Sequence, residues 1–280
     1  MRFKTFLEAK AEGSPKQVFE PIKDLTNFLK ENCSDSLWMI AKNKPLFRGF
    51  RNKAEDAPPS FVDLTKTSRK SQNTSNWYTE IFDNHPEMQD YPKRSKSLVC
   101  TTSQNDATGY GEVFAMIPVN GSKIGLVGSS DMWDINVNFF GSKSSLDDPN
   151  DFLSFLKDKA YGNGPPSFGI LQRLDKDLKD PESQAFKNLS SALIKPDFDI
   201  YERYHIRHLK TLIGREDFTK HFLDSLLKSY SPSETGLTVE TTATLGITGL
   251  ERQEVWFDKG AVLICLSDWR ELVDDFKNNV

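Results

Sequence analysis

Near the start of the chain Val18, Ile22, Leu25 and Leu29 recur at helical spacing, with Pro21 disturbing the first turn. The pattern predicts a helix within 14–33 and a shorter one over 36–42. Leu46-Phe47-Arg48-Gly49-Phe50 then reads as a strand. From 51 to 96 Asn, Ser, Lys, Pro and Asp dominate and few apolar positions repeat. This stretch is expected to be a long ordered loop with one helix near 77–82, and loops of that length usually serve a function.

Strand patterning resumes at 98–101. Ser103 is a candidate N-cap for a short helix through Ala107. A second strand is expected over 113–119, then a turn at Asn120-Gly121 and a third strand over 123–127. Residues 140–235 switch to helical spacing, in Phe152/Phe155/Leu156, Ala185/Leu189/Leu193 and Phe218/Phe222/Leu226/Tyr230, with a break at 162–166. Strand signals return at 237–243, 254–257 and 261–266. The last two read as a hairpin joined by Asp258-Lys259-Gly260, and a helix over 267–277 closes the chain. The fold class is α+β: strands early and late, a helical insertion at about 140–235, and an N-terminal tail with helices over 1–43 ahead of a main domain, 44–280.

Composition narrows this picture. Hydrophobic residues are 37% of the 280, with 20 Phe and 5 Trp, which is enough for a substantial core. No apolar run approaches a membrane span, so no membrane partner is expected. The net charge of −4 argues against broad electrostatic binding to nucleic acid, though not against a local basic groove. Cys33, Cys100 and Cys265 show neither disulfide nor metal spacing, which fits a reducing compartment. The first residues, MRFKTFLEAKAEG, are basic but lack the apolar segment of a secretory signal.

Arg48 raises the question of chemistry, because an arginine in an apolar strand needs a partner. One reading is a strand end with a solvated guanidinium. The other is an anion site, with Gly49 leaving the backbone open to a ligand. Two further strands carry polar groups in the same way: VCTTS places Thr101-Thr102-Ser103 at a strand end, and LERQEVWF places Glu254 at a strand start.

In this order, LFRG, VCTTS and LERQEVWF resemble the catalytic core of the ADP-ribosyltransferases, in the branch with an arginine, a Ser-Thr-Ser-like motif and a glutamate on successive motif strands. The likeness covers roughly 44–50, 97–128 and 237–266. It implies NAD as a consumed substrate, bound in a cleft between two small packed antiparallel or mixed sheets, with ADP-ribose passed to a protein or nucleic-acid acceptor and nicotinamide released. Arg48 would hold the diphosphate, with Gly49 allowing close approach. Thr101 would help hold the ribose and orient the glutamate, with Thr102 and Ser103 completing the motif, and Glu254 would be the catalytic carboxylate. Tyr110, ahead of Phe114, would stack on the nicotinamide.

Two departures stand out. Thr101 replaces the motif's first serine. Arg252 stands two residues before Glu254, where arginine-modifying members carry a second glutamate, and the nearest acid is Glu251. A NAD glycohydrolase, or a non-catalytic binding or phage-head internal protein that keeps the fold, are the alternatives.

The segment MRFKTFLE is similar to the leaders of proteins packaged into tailed-phage heads, with Phe6-Leu7-Glu8 as the cleavage site. That likeness implies a phage product acting in the host cytoplasm or carried in the virion; a plain start helix is the other reading. Remaining features take structural readings. His205 and His208 share a helix face without a third ligand, so no metal site is expected. Ser129-Ser130-Asp131 reads as a helix cap, with a contact to substrate as the other reading, and the basic run YPKRSK, 91–96, as a solvated loop that can attract an anionic acceptor.

Overall fold

Strands at the centre of the fold are apolar at nearly every position, because both of their faces are covered. The computed structural model describes residues 17–20, 22–51, 53–65, 77–129, 131–132, 135–139, 142–145, 148–162, 173–174, 176–194, 205–210, 218–245 and 252–278. The leader-like segment MRFKTFLE and Glu251 lie outside them. The chain divides into two compact units. One comprises Met1–Thr74, Phe82–Met132 and Gly236–Val280; the other comprises Ser75–Ile81 and Trp133–Thr235.

The strands are β1 (Gln17–Val18), β2 (Leu46–Phe50), β3 (Ser60–Asp63), β4 (Leu98–Thr101), β5 (Glu112–Pro118), β6 (Lys123–Leu126), β7 (Asn136–Phe139), β8 (Ser142–Ser145), β9 (Thr238–Thr241), β10 (Glu254–Phe257) and β11 (Gly260–Cys265). Nine of them form one antiparallel sheet in the first unit, in the order β1-β3-β11-β5-β2-β4-β10-β6-β9. The mixed α and β content matches the expected class. The expected two small sheets are replaced by this single hydrogen-bonded sheet, which is nonetheless nearly divided. β2 pairs with β5 through five residue pairs and β4 with β10 through four, but β2 meets β4 only where Phe47 faces Thr101.

The expected hairpin of β10 and β11 does not form. β10 pairs with β4 and β6, whereas β11 pairs with β3 and β5. Four strand steps separate the two, roughly 19 Å in a flat sheet. Phe257 to Gly260 spans only three Cα steps, at most about 11 Å. The sheet therefore curls until its halves lie over one another, and Asp258-Lys259 carries the chain between them. Asp258 N donates to Lys123 O on one side, and Leu64 N donates to Lys259 O on the other. Val255 and Phe257 then join Val262 and Ile264 in one buried core, so the two apolar runs face each other across layers instead of pairing edge to edge.

Helices close the first unit. Ile22–Asn32 begins directly after Pro21 in the sequence and buries Leu25 and Leu29. Val18 is not on that helix: it lies in β1 opposite Ser60, 49% exposed. A short helix, Trp38–Ala41, follows, and Leu266–Asn278 buries Trp269, Leu272 and Val273 at helical spacing. Inside the expected long loop, the four-residue strand β3 was too short to show periodicity. β7, just ahead of the expected helical region, and β8, inside its start, form a hairpin in the second unit; NVNF alternates over only four residues, and the polar SKSS gives no strand signal.

That second unit also holds the helices Asp148–Tyr161, Gln184–Ile194 and Phe218–Tyr230. Phe152, Leu156, Leu189, Phe222 and Leu226 are buried there as their spacing predicted. His205 and His208 pack against Phe152, and burial, then His205 and Arg207, lower the His208 pKa to about 4. The neutral ring is an aromatic component of that core.

A candidate active site at the seam of the sheet

The three motif strands are neighbours: β2, β4 and β10 lie side by side. Glu254 and Thr101 are direct cross-strand partners, so their side chains rise from the same face. Both are buried, at 5% and 8% exposure. Phe47 faces Thr101 from β2, which puts Arg48 one position from the single pair joining the halves.

The hydroxyls of the motif organise the backbone here. Thr101 Oγ1 accepts from Ser103 N at 3.1 Å. Thr102 Oγ1 accepts from Gln253 N at 2.9 Å, and Thr102 N donates to Gln253 O at 3.0 Å, extending the contact with β10 past the ladder. Ser103 caps the helix Gln104–Thr108 as expected, its Oγ accepting from Asp106 N.

Arg48 sits in the seam. Continuing the antiparallel register from Phe47 and Thr101 would put Arg48 opposite Cys100 and Gly49 opposite Val99, but neither pair forms. Arg48 Nη1 instead donates to Val99 O, taking the carbonyl that a paired strand would have used. Its guanidinium lies 5.5 Å from the Phe50 ring. Burial lowers its pKa, opposed by Cys100, Tyr110 and Glu254. Nε is enclosed without a hydrogen-bond partner. The solvated strand-end reading of Arg48 therefore does not hold.

Gly49 has a different reason from the one its sequence context suggested. A Cβ there would meet Ala107 O at 2.3 Å and Tyr110 C at 2.9 Å. The close approach is made by the chain's own helix end, not left open for a ligand. Gly49→Ala is expected to lower stability by about 1–3 kcal/mol through overpacking. Denaturant unfolding checks this, and an unchanged midpoint would show that strand and helix end are not in contact.

Glu254 accepts three hydrogen bonds. Arg94 donates to its Oε1 from Nη1 at 2.9 Å and from Nη2 at 3.0 Å, and Met132 N donates to Oε2 at 3.3 Å. Arg94 is only 4% exposed, which corrects the reading of 91–96 as a solvated loop. Its guanidinium is 5.0 Å from the Trp256 ring and 5.7 Å from that of Phe82. Sequence reasoning missed this residue. The available signal was a basic side chain just ahead of the motif strand, but its ion-pair partner Glu254 lies 160 positions away.

Around this centre Tyr110 is half-buried, its pKa raised to about 12 by burial, then by Asp131 and Glu254, so its phenol is a neutral donor. Arg252 takes a left-handed φ of 52° and holds Asp106 Oδ1 at 3.2 Å from a largely exposed side chain. Asp106 Oδ2 and Gln253 Oε1 are enclosed without partners. The expected cap at 129–131 is a local turn in which Ser129 Oγ donates to Asp131 O, while Ser130 lies outside the described residues. All three cysteines are free and buried, and burial raises Cys33 and Cys100 to about 12. Among the described residues, no helix is long and apolar enough to cross a membrane. No family model, curated protein or solved structure matches the chain.

Proposed function

We propose that the chain is a mono-ADP-ribosyltransferase that consumes NAD at this seam, releases nicotinamide and passes ADP-ribose to a macromolecular acceptor, a protein or a nucleic acid. One observation carries the reading above the others. Thr101 and Glu254 are direct cross-strand partners on one face, next to the strand of Arg48, at the point where the two halves of the sheet nearly separate. Composition does not require the pairing of Thr101 with Glu254, which lie more than 150 positions apart; alternation from Phe47 puts the Arg48 side chain on the other face of the sheet, so Arg48 would reach a ligand only through the gap at the seam.

The residues present suit NAD chemically. Buried polar atoms without partners are uncommon in folded proteins. Around the seam, Arg48 Nε is such a donor, and Gln253 Oε1 and Asp106 Oδ2 are such acceptors. A diphosphate suits the first, and ribose hydroxyls or a carboxamide suit the others. A carboxylate has about four acceptor sites, of which Arg94 and Met132 fill three on Glu254. The fourth is left for a ribose hydroxyl. As the glycosidic bond breaks, positive charge grows on the ribose ring, and the Glu254 carboxylate stabilises it. Tyr110 supplies an aromatic face and a neutral hydroxyl beside that carboxylate.

A second reading is favoured by a specific observation. Glu254 is neutralised by Arg94, and each motif hydroxyl already accepts from a backbone N–H. That arrangement suits a non-catalytic binding or phage-head internal protein. A glycohydrolase would differ from the transferase only in using water as acceptor.

Calorimetry with NAD tests the seam directly. Arg48→Ala is expected to weaken binding at least tenfold, and Arg48→Lys to restore little, because a point charge lacks the planar fork. Equal affinity for wild type and Arg48→Lys would rule out the arginine as the diphosphate clamp. Nicotinamide release then separates a transferase or glycohydrolase from a binding protein, and labelled ADP-ribose on an acceptor separates the first two.

A further inference from the structure

We propose that Arg94 is a positioning residue for Glu254, holding its carboxylate in one orientation from a rigid mount. The inference rests on the transferase reading and extends it to a residue outside the motifs. Both Nη groups of Arg94 converge on Oε1. The other oxygen, Oε2, receives the single, longer bond from Met132 N. The carboxylate is thus held unequally: one oxygen is fixed by the guanidinium, and the other keeps capacity for a new donor.

The mount is built from several elements. The Arg94 guanidinium lies near the Trp256 and Phe82 rings. Trp256 is itself fixed, since its Nε1 donates to Pro92 O at 2.9 Å and Tyr91 stacks on it with 17° between the planes. Tyr91 Oη donates to Leu237 O. Gly125 makes room for the indole, because a Cβ there would lie 2.3 Å from its ring. The segment around Arg94 is tied down as well: Lys93 Nζ donates to Asp83 O, Ser95 N to Asp83 Oδ2 and Ser97 Oγ to Lys93 O. A cation needed only to balance a buried carboxylate would not require so many restraints. Held this way, the carboxylate does not have to reorient as the reaction proceeds, which is the condition for effective electrostatic catalysis.

The test is steady-state nicotinamide release by the full chain, comparing wild type with Arg94→Lys. Lysine keeps the charge, and so spares the fold, but cannot place two parallel N–H groups on one oxygen. The expected result is a kcat lower by roughly 10- to 100-fold, the scale of a misplaced catalytic group, with KM for NAD changed less than about threefold and a melting temperature near that of wild type. An unchanged kcat beside a lowered melting temperature would overturn the inference, because Arg94 would then be structural only. A raised kcat would overturn it in the other direction, showing that Arg94 restrains Glu254. If the lysine variant melts too low for the standard assay, single-turnover release is compared at a reduced temperature where both proteins are folded, with the same expected loss of rate and the same overturning results. Failure of wild type to release nicotinamide would sink the transferase reading and this inference with it. Release by wild type with equal kcat in the variant would sink the inference alone.

Discussion

Arg94→Met is expected to lower the stability of the chain by roughly 3–5 kcal/mol, the scale on which removing one partner of a buried ion pair acts. The cost follows from what remains. Methionine fills much of the space between Trp256 and Phe82, so the loss of packing is small. Glu254 stays in place, 5% exposed, with its Oε1 deprived of both donors. A buried carboxylate without a counter-charge is far less favourable than the ion pair. For a chain of this size the loss corresponds to a fall in melting temperature of about 10 °C. Arg94→Met combined with Glu254→Leu should recover most of it, because the double variant buries no charge. Thermal melts of the two single variants and the double variant close the cycle. Single variants that each cost less than about 1 kcal/mol would mean that the pair is solvated.

Much of the first unit was legible where apolar periodicity is strong. The strands at 46–50, 98–101 and 254–257 and the Ser103 cap follow from local pattern, and they appear with nearly the expected bounds. What failed depended on tertiary placement. EVWF and GAVLIC look like hairpin arms because both are apolar and a turn signal lies between them. Their burial comes instead from facing each other across a curled sheet, which no local signal encodes. Polar strands such as β8 leave no periodicity to find, and their pairing supplies the missing order.

The candidate site was readable in part for the same reason. Arg48, Thr101 and Glu254 stand out because each is a polar residue in an apolar strand. Arg94 does not, since it sits among basic and polar neighbours that look solvated. Only the approach of Trp256, Phe82 and Glu254 makes it a buried residue. Gly49 was noticed for the right property, a missing side chain, and assigned the wrong neighbour. The group that comes close is the carbonyl of Ala107.

Glu254→Gln carries the largest expected effect on activity. Glutamine is nearly isosteric and keeps a carbonyl oxygen toward Arg94, although that arginine loses its counter-charge and some stability with it. Val255, Trp256 and Phe257 still pack the strand. Ground-state NAD has a neutral ribose, and an amide can hydrogen-bond its hydroxyls, so binding should change little. Positive charge develops only as the bond to nicotinamide breaks, and an interaction present only then lowers the barrier without tightening substrate binding. Losing it should slow release by roughly a hundred- to a thousandfold, equivalent to about 2.7–4 kcal/mol. The decisive measurement is single-turnover release of nicotinamide from NAD by wild type and by Glu254→Gln, at a temperature where both are folded. The account predicts release by wild type and a rate at least a hundredfold lower in the variant, with NAD affinity within a few-fold. Equal rates in the two proteins, or no release by wild type with any acceptor, would contradict it.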